Sequence, residues 1–344
     1  MLKSTNICYP LLLIVSTAGK KSFTALGKII NKSGDTVRRM LNPTEAIFGI
    51  LEKIAIHLFR NKKRLFLSFD DTLIKKIFSQ FIEGTDVFFD TKTNQMVMSY
   101  KLLIASITDG KYAIPLRCSF LPSKRAMENA AAFKEELVKK IILEIQKIFP
   151  NHIIIVTADG AFATKSLLSW AVDNSIFAEM RMHSNRVVQY NGKSSKISDI
   201  KELIPKGRHM ARTIQAIWHD IPLEITAQRR IDKHGEESIV YQAATYKASP
   251  SQHVAAYKNR WSIEKINRTT KQYVGLQECF STKLDTQLQH VASVLLAYAF
   301  AQVEMKKQRL ANPEEAIRYF RQQNFDFLKR RFGALDEIFG DAHA

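Results

Sequence analysis

Apolar positions recur along this chain with two different spacings, and the change occurs near residue 64. Before it, they recur every three or four residues, which predicts helices at 23–30, 36–41 and 44–60. Ser22 is placed to cap the first of these helices, and Gly34 or Asp35 begins the second. The apolar run 9–16 predicts one earlier buried element, a helix or a strand.

After residue 64, short apolar runs typical of strands alternate with helical spacing. Strands are predicted at 65–69, 98–107, 112–120, 152–158 and 176–182, and helices at 125–148 and 162–172. Thr108–Gly110 predicts a hairpin turn between the second and third strands. Hairpin-linked strands followed by α/β alternation indicate an α/β fold with a mixed sheet and helices on its faces.

Residues 183–250 differ from what precedes them, because short β-like segments at 213–218, 223–228 and 238–245 lie between polar, basic loops. Helices resume at 252–274 and 285–305, and one or two more are predicted at 313–339. We therefore predict a helical domain at 1–62, an α/β domain at 63–306 with a β-rich insertion at about 183–250, and a helical tail at 307–344.

The predicted domain at 1–62 has a helix, a short turn containing Gly34, and a helix that carries the pair Arg38 and Arg39. This is a helix-turn-helix pattern, in which the second helix reads DNA. It predicts DNA contacts by Arg38 and Arg39. A plain helical bundle is the alternative.

The formal net charge of +18 and the pI of about 9.7 point to a polyanionic partner, most simply nucleic acid, against the alternative of a merely basic protein. Residues 1–64 hold 12 Lys and Arg against 3 Asp and Glu, and a second basic stretch runs from Arg181 to Arg212. Hydrophobic content of 46% with 24% charged residues indicates a globular chain.

Three widely spaced cysteines match no zinc-site spacing and suit a reducing cytosol, so we expect a cytoplasmic protein. No apolar run reaches the roughly 18 residues of a membrane span. The run 9–16 superficially resembles a signal peptide, but it is short and no clear cleavage site follows it.

Two carboxylates stand at or just past the ends of apolar strands, Asp70 after LFLSF and Asp159 after HIIIVTA, and Glu264 lies on a late helix. Carboxylate oxygens suit Mg²⁺ or Mn²⁺, and two such ions can promote phosphoryl transfer. Each acid alone has a structural alternative: a turn at Asp159–Gly160, a helix cap at Asp70–Thr72, and an ordinary surface acid at Glu264.

The late helix also carries Tyr257, Arg260 and Lys271. At 100° per residue, Arg260, Glu264 and Lys271 lie within roughly 60° of Tyr257 around a helix. An aromatic ring, a carboxylate and two cations thus share one narrow stripe, which favours a helix that faces metal and phosphate together.

These motifs resemble those of the bacterial DDE transposases of the insertion-sequence-four group, over about residues 65–300. Asp70–Thr72 matches that group's Asp-x-Thr motif, and Thr157–Gly160 matches its second aspartate motif. The spacing Tyr257-x(2)-Arg260-x(3)-Glu264-x(6)-Lys271 matches its third in full. Residues 100–115 are also similar to the corresponding segment of these enzymes.

The resemblance implies an RNase H-like core in which Asp70, Asp159 and Glu264 bind two Mg²⁺ ions, with Mn²⁺ as a substitute. Asp71 competes with Asp70 for the first position, and the Asp-x-Thr frame favours Asp70. It also implies a cut-and-paste transposase that cleaves the terminal inverted repeats of double-stranded DNA. The freed 3′-hydroxyl then joins target DNA, and a homodimer holds two ends together.

For the DNA contacts, the resemblance implies that Arg260 and Lys271 grip phosphates near the cleaved end. Tyr257 either hydrogen-bonds a phosphate or packs in the core. Arg181, which begins the second basic stretch, is a softer DNA-binding candidate, and Trp218 either stacks on an extruded base or packs internally. The rival functions are an RNase H-like nuclease without strand transfer and a domesticated DNA-binding regulator.

Overall fold

The computed structural model describes residues 7–16, 21–77, 81–207, 210–232 and 234–333. Four helices come first: α1 (Cys8–Val15), α2 (Phe23–Ile29), α3 (Gly34–Arg38) and α4 (Thr44–Phe59). The run at 9–16 is therefore a buried helix. Ser22 caps α2 through its side chain, which accepts the amide of Ala25, and Ser33 caps α3 in the same way. The second predicted helix ends three residues early, at Arg38.

Five strands form the sheet that the sequence predicts: β1 (Arg64–Lys75), β3 (Gln95–Thr108), β4 (Ala113–Leu121), β5 (Ile153–Ala158) and β6 (Phe177–Met182). Their order in space is β4-β3-β1-β5-β6, in which β3 is antiparallel to β4 and β1, while β1, β5 and β6 are parallel. This mixed sheet confirms the RNase H-like fold class. A further strand, β2 (Asp86–Asp90), was not predicted from the sequence; it pairs with the start of β3.

The prediction that the first strand ends before Asp70 is wrong. Strand β1 continues to Lys75 because β3 pairs with it as far as Ser99 opposite Lys75. The parallel neighbour β5 stops earlier, with Ala158 opposite Phe69. Residues 70–75 therefore lie in the strand, which removes the helix-cap alternative for Asp70–Thr72. On the side toward β5, these residues have no partner in that strand.

The predicted insertion is β-rich and continues the same sheet. It contains β7 (Val187–Tyr190), β8 (Lys193–Lys196), β9 (Ala211–Trp218), β10 (Ile221–Ile231) and β11 (Glu237–Ala244). Strand β11 pairs antiparallel with β6, and the order then runs β11-β10-β9-β7-β8. The two short strands β7 and β8 were not predicted.

The remaining helices are α5 (Ala130–Ile148), α6 (Lys165–Asp173), α7 (Pro250–Lys258), α8 (Trp261–Thr269), α9 (Leu284–Lys307), α10 (Pro313–Arg321) and α11 (Phe325–Gly333). Both α5 and α6 begin a few residues later than predicted. The predicted tail to 339 extends outside the described residues after 333.

The single predicted helix at 252–274 is wrong, because it is divided in two. The Asn259 side chain donates to the carbonyls of Ala255 and Ala256, at 2.8 and 3.4 Å, and ends α7. Arg260 keeps right-handed helical angles, so α8 follows without a reversal. A π-helical turn, Thr270–Val274, then ends at Gly275, whose φ of +87° favours glycine.

Helices α1 and α4 pack against α9, and their buried side chains belong to the same apolar core as the sheet. The division at residue 62 into a separate domain stays a prediction. Among the described residues, no helix combines the length and apolarity needed to cross a membrane.

Candidate active site

Three carboxylates from distant parts of the chain converge at the end of β5. Asp70 follows Phe69, the last residue of β1 that pairs with β5, and Asp159 follows Ala158, the last residue of β5. Helix α8 lies against β1, where the Asn267 amide donates to Asp70 Oδ2 at 2.8 Å. Glu264 lies one turn before Asn267 on this helix. The parallel pairing thus places Asp70 and Asp159 at neighbouring strand positions, and the Asn267 contact brings helix α8, which carries Glu264, against Asp70.

The pKa of Asp70 reflects its burial and the neighbouring acids. Burial raises the pKa of its carboxyl group to about 7, and the charges of Asp159, Asp71 and Glu264 act in the same direction, against Arg260. Burial and like charge both disfavour the ionised form. A positive charge close to this carboxyl group would favour its ionised form.

Each of the three acids has a protein donor. Asn267 serves Asp70, the backbone amide of Ala161 donates to Asp159 at 2.9 Å, and Arg260 donates to Glu264 at 2.5 Å. In the described ranges, no three Asp, Glu, His or Cys side chains are already grouped closely enough to hold a metal ion. The donor set nevertheless fits a hard divalent cation, which is oxygen-liganded and would relieve the repulsion on Asp70.

The comparison with known families decides the classification. The family model for the transposase DDE domain matches residues 63–300. The chain belongs to the transposase DDE domain family. That range contains β1, β5 and α8, and so all three converging acids. The finer assignment to the insertion-sequence-four group stays a prediction.

A solved structure supports the fold of this DDE-family chain. The piggyBac transposase, in a synaptic complex with hairpin DNA, is similar with a TM-score of 0.53 and 12% sequence identity. The similarity covers 98% of this chain and 75% of that one. No curated protein matches at a significant level.

The neighbouring acids Asp70 and Asp71 face opposite sides of the sheet, as successive strand residues must. Asp71 accepts ion pairs from Lys134 on α5, at 2.7 Å, and Lys101 on β3, at 3.3 Å. Asp70 instead faces α8. Asp71 is thus neutralised on the other side, whereas Asp70 has an amide partner and no ion pair among the described residues.

Three of the four signature positions remain in contact despite the break between α7 and α8, and the fourth, Lys271, contacts β1. Arg260 pairs with Glu264, and its guanidinium lies 5.5 Å from the centre of the Tyr257 ring. Lys271 donates to Thr72 on β1 at 2.6 Å, while burial and the charge of Lys92 lower the pKa of its amine to about 8. The Tyr257 ring is only 2% exposed, so packing is one of its roles.

The softer candidates have different surroundings. Arg181 is exposed at the end of β6, close enough to lower the pKa of Arg230. Trp218 is 2% exposed and packs under the Arg186 guanidinium at 5.2 Å, which fits the internal-packing alternative. Arg38 ends α3 and Arg39 follows it; both are exposed and both pair with Asp35.

Sequence reasoning missed Asn267, Arg230 and a buried cluster formed by Glu179, His253 and Glu224. Asn267 follows Glu264 by three residues and extends the signature stripe, so helical spacing offered a signal. The cluster offered none, because its members come from β6, α7 and β10. His253 Nδ1 lies 2.6 Å from Glu179, and Nε2 lies 2.9 Å from Glu224.

Proposed function

We propose that this chain is a DNA transposase that cleaves transposon ends and joins the freed 3′-hydroxyl to target DNA. The observation that carries the proposal is that Asp70 and Asp159 lie at neighbouring strand positions against helix α8, which carries Glu264 and the basic signature residues. A carboxylate whose pKa is raised to about 7 by burial and neighbouring acids is suited to a divalent cation. The reaction class is in-line phosphoryl transfer, for which positioning and charge stabilisation matter most.

In this proposal Asp70, Asp159 and Glu264 hold two Mg²⁺ ions, or Mn²⁺ in their place. When bound, the ions supply an activated water or 3′-hydroxyl and stabilise the leaving oxygen. Asn267 fixes the orientation of the Asp70 carboxylate through its amide. Arg260 keeps Glu264 oriented and presents its guanidinium to a phosphate, so metal binding and DNA binding share one helix.

The remaining contacts extend the same proposal. Lys271, held by Thr72 on β1, is placed for a phosphate beside the cleaved strand. Arg181 and Tyr257 contribute beside Arg260, while Arg38 and Arg39 at the end of α3 contact the duplex away from the acids. We further propose a homodimer in the complex that pairs two ends, acting in the bacterial cytoplasm. The named relative in a synaptic complex with DNA supports this assembly by fold alone.

The test is strand cleavage with purified protein, Mg²⁺ and the duplex DNA that borders the gene, including its inverted repeats. Wild type should nick the repeat end, and Glu264→Gln should bind that end without nicking it. Equal nicking by Glu264→Gln would remove Glu264 from the site. Nicking without joining to a target plasmid would favour a nuclease, and binding without nicking by wild type would favour a regulator.

A further inference from the structure

Two arginines from separate elements, Arg181 on β6 and Arg260 between α7 and α8, lie close enough to Arg230 on β10 to act on its charge. Burial lowers the pKa of the Arg230 guanidinium, and the charges of Arg181 and Arg260 lower it further, against the opposite effect of Tyr257. Of the three, only Arg260 has a carboxylate partner among the described residues. Guanidinium groups repel one another, and an anion among them would relieve that repulsion.

The strand register shows that Arg230 faces α7. Arg181 lies directly opposite Gln242 on β11, and Gln242 lies opposite Thr226 on β10. Arg230 follows Thr226 by four residues, so it is on the same face of the sheet. Glu179 and Glu224 lie two residues before Arg181 and Thr226, so their side chains are on this same face. His253 of α7 covers the face, because it lies within hydrogen-bond distance of both carboxylates. The insertion therefore supplies a cation to the side on which the signature helices lie.

Unpartnered polar atoms accompany these arginines. Gln242 is fully buried, yet neither its amide nitrogen nor its amide oxygen has a hydrogen-bond partner within the described part of the chain. A buried amide without partners costs about 1–3 kcal/mol, so such groups generally have a ligand or a water. Arg230 itself is held through Nε by Gln228 at 2.9 Å, which leaves its terminal nitrogens for another group.

Arg230 also lines a cavity of about 980 Å³ that runs along the outer side of α8. The cations in its wall are Lys111, Arg230, Lys258, Lys265 and Arg268. Its one acid, Glu314, accepts a hydrogen bond from Thr269 at 2.5 Å and is 3.7 Å from Arg268. A cavity with five cations and one already-paired acid fits the phosphates of a nucleic acid strand.

We propose that Arg230 binds a backbone phosphate of the DNA strand that passes Asp70, and that this strand continues into the basic cavity beside α8. This inference rests on the proposed function and adds the insertion strand β10 to the DNA-binding surface. Arg230 is thus the link between the signature residues and the cavity.

Arg229→Ala is the matched control for Arg230→Ala. Arg229 precedes Arg230 on β10 but faces the other side, where it pairs with Glu237 at 2.8 Å and donates to Pro205. Arg230→Ala should weaken binding of the end duplex about 10- to 100-fold and reduce the salt slope of binding by about one. Arg229→Ala should change affinity less than about twofold, and Arg230→Lys should restore part of the loss.

Thermal melting first establishes that both variants are folded. If wild type nicks and the two alanine variants bind equally well, Arg230 does not contact the strand and the inference is overturned. If wild type does not nick but Arg230→Ala still binds more weakly than Arg229→Ala, the proposed reaction fails while the phosphate contact stands.

The path of the strand is tested separately with Lys265→Glu, a charge reversal in the cavity wall. We expect weaker binding and a smaller salt slope than with Lys140→Glu, which reverses an exposed lysine on α5. Equal behaviour of these two variants would exclude the cavity as the path of the strand.

Discussion

Two clusters of carboxylates lie a short distance apart along α7 and α8, and their electrostatics differ. In the first, the His253 ring lies between Glu179 and Glu224, with each ring nitrogen against a carboxylate oxygen. In the second, which contains Asp70, Asp159 and Glu264, Arg260 forms an ion pair with Glu264 alone among the described residues. The first cluster contains its own bridging cation when His253 is protonated, whereas the second leaves Asp70 without one.

The difference separates acids that are bridged internally from the acids for which we propose a metal-binding role. The His253 cluster joins β6, β10 and α7, so its charges contribute to how the insertion packs on the core. The Asp70 cluster instead keeps repulsion that lowers stability but suits an incoming cation. Proximity of acids alone would not have distinguished them. Glu179 is bridged by an imidazole, whereas Asp70 has an amide partner and no ion pair among the described residues.

The largest expected effect is on strand cleavage by Asp70→Asn, since the proposal makes Asp70 a metal ligand. Cleavage should fall by several kcal/mol in activation free energy, roughly 10³-fold or more. The same change should raise the melting temperature, because it removes a charge that is unfavourable in the folded state. Asp71→Asn is the matched control and should retain most cleavage. If Asp71→Asn loses cleavage and Asp70→Asn retains it, the assignment of Asp70 as the first ligand is wrong.

His253→Gln should be the most destabilising change in the other cluster. It leaves Glu179, which is fully buried, without its bridging imidazole, at a cost of about 3–5 kcal/mol in unfolding free energy. Urea unfolding measures this loss. Combining it with Glu179→Gln should recover part of the stability, and an additive double mutant would show that no charge coupling exists between the two.

Mg²⁺ should stabilise the folded chain through the Asp70 cluster only. At a free concentration 100 times its Kd, binding contributes about 2.7 kcal/mol. Thermal shift in the presence of Mg²⁺ and after EDTA would measure it. The shift should disappear in Asp70→Asn and persist in His253→Gln. A shift that survives in Asp70→Asn would place the cation elsewhere.

The smallest effect expected is a pH dependence of stability that arises from His253. Burial acts to lower the pKa of His253, but hydrogen bonds and charges of Glu179 and Glu224 outweigh it and raise the pKa above its ordinary value of 6.5. The stabilisation is therefore complete below that value and is lost as pH rises through the folded-state pKa. Burial also raises the pKa of Glu179, which acts in the same direction.

Urea unfolding of wild type between pH 5.5 and 9 should therefore show stability falling as pH rises. The slope should be reduced in His253→Gln. An unchanged slope in that variant would assign the dependence to other groups.

Much of this molecule was determined by its sequence alone. Spacing of apolar residues predicted the five core strands, the insertion and most helices, because a buried face requires a regular period. The signature at Tyr257, Arg260, Glu264 and Lys271 predicted the third candidate acid, which lies on α8. These strands and helices depend on the spacing of residues that are close together in the chain, so the sequence alone predicts them.

Tertiary structure alone decided what each acid faces. Strand β1 extends beyond Phe69 because β3 continues to pair with it. As a result, Asp70 faces α8 and Asp71 faces Lys134. The cluster of Glu179, His253 and Glu224, and the grouping of Arg230 with Arg181 and Arg260, require elements far apart in the chain to pack together. Whether a charge is paired depends on distances across the fold, and no local spacing specifies those distances.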